Sequence, residues 1–175
     1  YILLHGYDEY KNIKNKHFEI EKQCKFDFVN AIRNNKDLLK KYRLKRNEIE
    51  SQLINESSID IKVFFLFCIF YEINAIFIHR KFFYILDKDD VDSKLSVIKI
   101  INGDYAIDLE NHNIDFYKNN FCEMDNISRY LKPISGYKLD ELQNMCFKLE
   151  IDITNIDDKR KTKQELYNNI LLLLS

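Results

Sequence analysis

The Asn102-Gly103 step constrains this chain's fold more than any other feature, standing between residues 97–101 (VIKII) and 104–109 (DYAIDL). Two β-type runs joined by Asn-Gly form a tight hairpin, because both turn positions need a backbone conformation those residues adopt at low cost. A second hairpin is expected upstream, from residues 75–78 (AIFI), through a turn at His79, Arg80 and Lys81, into residues 82–85 (FFYI). Together the hairpins predict a small four-stranded antiparallel sheet.

The flanking sequence reads as helix. Residues 17–56 predict two helices parted near Asn34-Asn35. Phe18, Cys24, Phe28 and Ile32 form the apolar stripe of the first, and Leu38, Leu39, Tyr42, Ile49 and Leu53 that of the second. Residues 59–71 predict a buried helix capped by Ser57-Ser58. Its apolar run VFFLFCIFY is nine residues long, against the roughly twenty a spanning helix needs, so it is expected in a core and no membrane insertion is expected. Residues 110–120 read as a polar loop, and 127–134 as a link to the tail. The fold class is α+β: a helical N-terminal segment 1–56, an α+β core 57–131 with a central buried helix and two hairpins, and a C-terminal two-helix module 132–175. The 175 residues, 46% hydrophobic, suffice for one domain with a small appendage.

The tail carries the clearest functional pattern. It follows Pro133, the chain's single proline, and then Ser135-Gly136. Leu139, Leu142, Met145, Cys146 and Leu149 form one helical stripe, and Ile151, Ile153 and Ile156 are expected to pack as an extended connector. Thr162 and Glu165 make a capping box opening a second helix, whose stripe is Leu166, Ile170 and Leu173. Lys159, Arg160, Lys161 and Lys163 cluster at that opening, where free backbone N–H groups and the helix dipole favour an anion. These four cations are the candidate phosphate clamp.

The segments KLDELQNMCFKLEI and KRKTKQELYNNI resemble the SAP motif and related helix–extension–helix modules, such as the N-terminal domain of the transcription terminator Rho. The resemblance covers about a quarter of the chain. It implies DNA or RNA backbone binding through the connector and the start of the second helix. Two departures stand out. The family usually has Gly between helix and connector where this chain has Glu150, and Asp152, Asp157 and Asp158 dilute the positive field.

A second basic run, KDLLKKYRLKR at 36–46, would place Lys36, Lys40, Lys41, Arg43 and Arg46 around one broad helical face. Such a face suits phosphates, an acidic partner or plain solvent. The net charge of −1 provides no global basic field, so any nucleic-acid contact must be local.

Enzymatic patterns are weak. Glu9-Tyr10-Lys11 fits a nuclease E-x-K triplet without an upstream acid. Cys68, with His79 or His112 as partner, sits among Leu66, Phe67, Ile69 and Phe70 and reads as buried. Three glycines leave no P-loop or dinucleotide fingerprint. Cys24, Cys68, Cys122 and Cys146 form no C-x-x-C pair, and none of the four His residues lies at zinc-ligand spacing from one. A non-enzymatic protein of a reducing, intracellular compartment is expected, with no metal, cofactor or small-molecule substrate. The opening YILLHGYDEY is too short and polar for a secretory signal, and a start at Tyr1 rather than Met suggests a piece of a longer protein.

Ile, Lys, Asn, Phe and Tyr make up about half of the residues. Their codons begin with two A/T bases, so the genome is expected to be AT-rich. With the tail, this composition resembles proteins of nucleo-cytoplasmic large DNA viruses, which implies a virion or a viral factory in host cytoplasm. Two functional expectations stand open. One is a nucleic-acid-binding accessory protein whose body docks on a larger assembly. The other is a structural or interaction protein, such as a minor virion component, with the C-terminal helices docking on protein.

Overall fold

The computed structural model describes residues 1–42, 44–56, 58–86, 96–101, 104–108, 114–127 and 129–174. They form two compact units, Tyr1–Asn74 and Ala75–Ser175, and the fold is α+β.

The first unit is helical: α1 (Ile2–His5), α2 (Tyr7–Asn12), α3 (His17–Arg33), α4 (Lys36–Lys41), α5 (Arg46–Asn55) and α6 (Ile61–Phe70). Its core joins Phe28, Val29 and Ile32 of α3 to Leu39 of α4, Ile49 and Leu53 of α5, and Val63 and Leu66 of α6. Phe18, expected in the α3 stripe, is instead 75% exposed, with Lys22 Nζ 5.9 Å from its ring centroid. Arg33 donates two parallel hydrogen bonds to Glu50, at 3.0 and 2.9 Å, clamping α3 to α5. That guanidinium holds the Glu50 carboxyl below the usual carboxylate range. The expected long second helix is broken between α4 and α5, where the Leu44 N–H turns back to the Leu39 carbonyl at 3.0 Å.

Asp60 caps α6, its Oδ1 accepting from the Val63 N–H at 3.0 Å, while Gln52 hydrogen-bonds both its backbone and its side chain. The expected cap at Ser57-Ser58 gives way to this closer oxygen, and Ser57 itself lies outside the described residues. Helix α6 ends in a Schellman turn: the Ile73 N–H reaches the Cys68 carbonyl at 2.8 Å, with Glu72 at φ 52°.

The second unit is built on β1 (Ala75–His79), β2 (Phe82–Ile85), β3 (Ser96–Ile101), β4 (Asp104–Asp108) and β5 (Cys122–Glu123), with α7 (Ile114–Asn120) before β5. Both expected hairpins form: β1 pairs antiparallel with β2, and β3 with β4. Asn102 and Gly103 lie outside the described residues. The sheet is mixed, however, not wholly antiparallel. In the order β4-β3-β1-β2-β5, β1 runs parallel to β3 and β2 parallel to β5. Hairpin signals specify pairing within each hairpin; how two hairpins join depends on the crossover between them. Strand β1, in the centre, is apolar along AIFI and buried at each of those positions, as suits a strand covered on both faces.

Ile76 and Ile78 of β1, Phe83 and Ile85 of β2, and Val97 of β3 share one core with Tyr117 of α7. Residues 114–120, expected as loop, are therefore helical. Ile114, Tyr117 and Phe121 fall at helical spacing and pack against the sheet residues, overriding the local polarity. Residues 109–113 lie outside the described set.

The tail belongs to this unit. A 3-10 turn (Ile134–Gly136) follows Pro133, then come α8 (Leu139–Lys148) and α9 (Lys163–Leu174). Leu142, Cys146, Leu149, Leu166 and Ile170 are buried as their spacing requires, while Leu139 and Leu173 are exposed. Lys148 Nζ donates to the Lys118 and Phe121 carbonyls, at 2.6 and 3.1 Å, anchoring α8 to the C-terminal end of α7. Tyr167 of α9 donates to the Lys132 carbonyl at 2.9 Å.

Candidate nucleic-acid interface

The site begins where α8 stops. The Ile151 N–H returns to the Cys146 carbonyl at 2.8 Å and the Glu150 N–H to Phe147 at 3.2 Å, a Schellman turn that puts Glu150 at φ 59°. This left-handed position favours Gly, because a Cβ crowds the backbone in that conformation. Glu150→Gly is expected to stabilise the protein by about 1 kcal/mol, read as a higher urea midpoint at unchanged slope. The variant forfeits a 3.3 Å pair with Lys81, but both side chains are exposed and such pairs contribute little. A lower midpoint would mean that the pair outweighs backbone strain.

The connector is a short hairpin, not the extended apolar segment expected. Asn155 and Lys159 pair through a 2.9 Å backbone bond, and Lys161 and Ile153 through another of 2.9 Å. Asn155 Oδ1 accepts from the Asp157 and Lys159 N–H groups, at 3.2 and 3.0 Å, closing the tip. With the backbone satisfied internally, the apolar side chains need no strand partner and turn outward: Ile153 is 38% exposed and Ile156, at the tip, fully so.

The second hairpin arm leads into α9. The Thr162 N–H donates to Glu165 Oε2 at 2.7 Å and the Glu165 N–H to Thr162 Oγ1 at 3.4 Å, the expected capping box. The Thr162 backbone and hydroxyl bonds hold the Glu165 carboxyl below its ordinary value. A depressed folded value means a contribution complete above the unfolded pKa of about 4.3 and lost as pH falls through the folded one. Thr162→Ala is expected to cost about 1 kcal/mol at neutral pH and to flatten the acid limb of stability against pH. Chemical denaturation at pH 7 and pH 3 checks both; parallel pH profiles for parent and variant would refute the cap's role.

The four expected clamp cations differ in their surroundings. Lys159 and Arg160 are exposed on the hairpin arm, and neither side chain has an ion-pair or hydrogen-bond partner among the described residues. Lys161 is half-buried, its Nζ donating to the Asp152 carbonyl at 2.8 Å, so it braces the connector. Lys163 is half-buried at the first turn of α9. Exposed Asp157 and Asp158 border the arm, and Glu165 already occupies donors at the helix opening.

The second basic run does not form one helical face, because α4 ends before Tyr42. Lys36, Lys40 and Lys41 are exposed on α4, and Lys41 Nζ lies 5.5 Å from the Tyr42 ring centroid. Arg43 lies outside the described residues. Arg46 opens α5 and pairs with Glu50 at 3.4 Å. These residues belong to the helical unit, and the tail cations to the other.

Phe147 lies off the apolar stripe of α8, where helical spacing gives no signal for it, and is 81% exposed. Elsewhere, burial pushes the Cys68 thiol up to about 12, keeping it neutral and a poor nucleophile. His79 hydrogen-bonds Tyr130, and burial lowers its pKa. Among the described residues, no group of three or more His, Cys, Asp or Glu could hold a metal ion. No helix among them is long and apolar enough to cross a membrane. Compared with known proteins, the chain matches no protein-family model, no curated protein and no solved structure.

Proposed function

We propose that this protein binds nucleic-acid backbones through its C-terminal SAP-like two-helix module, as an accessory chain whose body docks on a larger assembly. The observation that carries this reading is the pair Lys159 and Arg160, exposed and unpaired on an arm leading into a capped helix start. Two free cations, with Lys163 beside them, set a modest scale. Log K for duplex DNA should fall with log salt at a slope of about −2, near −0.9 per neutralised phosphate. The contacts are to phosphate, so binding is indifferent to base sequence.

The test is fluorescence anisotropy with a random-sequence duplex and a single strand at several salt concentrations. The intact chain is compared with a Lys159→Ala/Arg160→Ala double variant. Salt-sensitive binding by the parent, lost in the variant, supports the proposal. Absence of binding at low salt, or a slope unchanged in the variant, sinks it.

A second reading is favoured by Ile156 and Phe147, two large apolar side chains almost wholly in solvent on the same module. They suit a tail that docks on protein, as in a structural component of a virion. Under that reading Ile156→Ser abolishes association with the assembly, while the double cation variant leaves it intact. The AT-rich composition and the module's resemblance support a large DNA virus as the source, with the protein in the virion or the viral factory.

A further inference from the structure

We propose that the helical unit carries a binding cleft for a small, uncharged, largely apolar molecule about the size of a bicyclic aromatic. Glu21, Cys24 and Lys25 lie at i, i+3 and i+4 along α3, so they share one face, and that face, with the buried Phe28 behind it, borders an open space of about 290 Å³. Phe64 and Phe67 of α6 also line it, and Leu3 of α1 adds to the wall. Packed interiors leave few voids larger than a water molecule. This space opens to solvent on one side, and its volume exceeds the roughly 150 Å³ at which an enclosed apolar cavity admits benzene.

The polar side chains on the rim set the chemical class. Glu21 accepts a hydrogen bond from the Tyr10 hydroxyl at 2.5 Å, and Lys25 Nζ donates to the Glu56 carbonyl at 3.1 Å. Glu21 and Lys25 carry opposite charges one turn apart, so the rim has no net charge to favour an ion of either sign. Recognition falls to the aromatic and aliphatic walls. Tyr1, which also lines the space, tilts against His5 with ring centroids 4.4 Å apart; Tyr10 tilts against His17 at 4.5 Å, and His17 Nε2 meets the Tyr10 carbonyl at 3.0 Å.

Indole is the probe, because the chain contains no Trp and red-edge excitation then reports the ligand alone. Titration should give a saturable blue shift of indole emission. Iodoacetamide provides an independent readout. Cys24 is half-buried on the cleft wall, whereas Cys68, Cys122 and Cys146 are buried away from reagent. Cys24 is therefore the fast-reacting thiol, and indole at ten times its Kd should slow its alkylation about tenfold. Cys24→Phe, which fills the cleft, should abolish the emission shift. No saturable shift, a shift without Cys24 protection, or an undiminished shift in a folded Cys24→Phe variant would each overturn the proposal. Should that variant fail to fold, protection of Cys24 in the parent chain decides alone.

Discussion

Phe28→Ala is expected to lower the unfolding free energy by about 3–5 kcal/mol, the range for emptying a fully buried aromatic site. Phe28 has no exposed surface. Its ring lies 5.1 Å from Phe67, 5.9 Å from Phe70 and 6.1 Å from Tyr71, so α3 and the end of α6 meet on it. Contraction to a methyl group removes the apolar transfer energy and leaves a cavity that a close-packed helical core closes only in part. Urea denaturation measures the loss, and amide hydrogen exchange should locate it in Tyr1–Asn74. A loss under about 1 kcal/mol, ordinary for any substitution, would show that the helical unit is not organised around this ring.

The second large effect is expected at Leu166→Ala, at about 2–5 kcal/mol. Leu166 is fully buried and stands one turn beyond the cap, its N–H bonded to the Thr162 carbonyl at 3.1 Å. Its loss loosens the seat of the helix start that Lys159 and Arg160 flank. Stability and nucleic-acid binding should therefore fall together in this variant. In the Lys159→Ala/Arg160→Ala variant binding should fall alone, with stability within about 0.5 kcal/mol of the parent, as for exposed unpaired side chains. Thermal unfolding and anisotropy on the same preparations separate the two. A stable Leu166→Ala variant would mean that α9 is not held by its buried stripe.

The tail shows how far local sequence reaches. Thr162 and Glu165 find each other because both atoms of the capping box lie within four residues, and no distant group is needed. Leu142 and Cys146, and Leu166 and Ile170, are buried because four residues make about one helical turn. The connector was less legible. Its three isoleucines suggest an apolar strand, but Asn155 closes a turn through its own side chain, and the isoleucines gain nothing by turning inward.

Phe18 and Tyr117 mark the opposite limit. Both are large aromatics in segments with charged neighbours. Phe18 stands in solvent near Lys22, and Tyr117 enters a core with four strand residues of β1 and β2. The difference lies in what packs opposite, which no window around either residue contains. Likewise, no periodicity breaks KDLLKKYRLKR at Tyr42. The Leu44 N–H does so by turning back to Leu39, and the core contacts of Leu39 and Ile49 sit on either side of the break.

The sequence by itself determined the elements whose stabilising partners lie within a turn or a hairpin: the capped α9, the α8 stripe, and the two antiparallel strand pairs. It also determined the class, α+β, because helical and alternating patterns occupy separate stretches. Only the tertiary structure decided that β1 runs parallel to β3, that residues 114–120 cover the sheet as a helix, and that Lys161 braces the connector while Lys159 and Arg160 stand free. Each of those outcomes rests on long-range burial, or on a hydrogen bond whose donor and acceptor meet only once the chain has folded between them. Local propensity carries no information about such meetings.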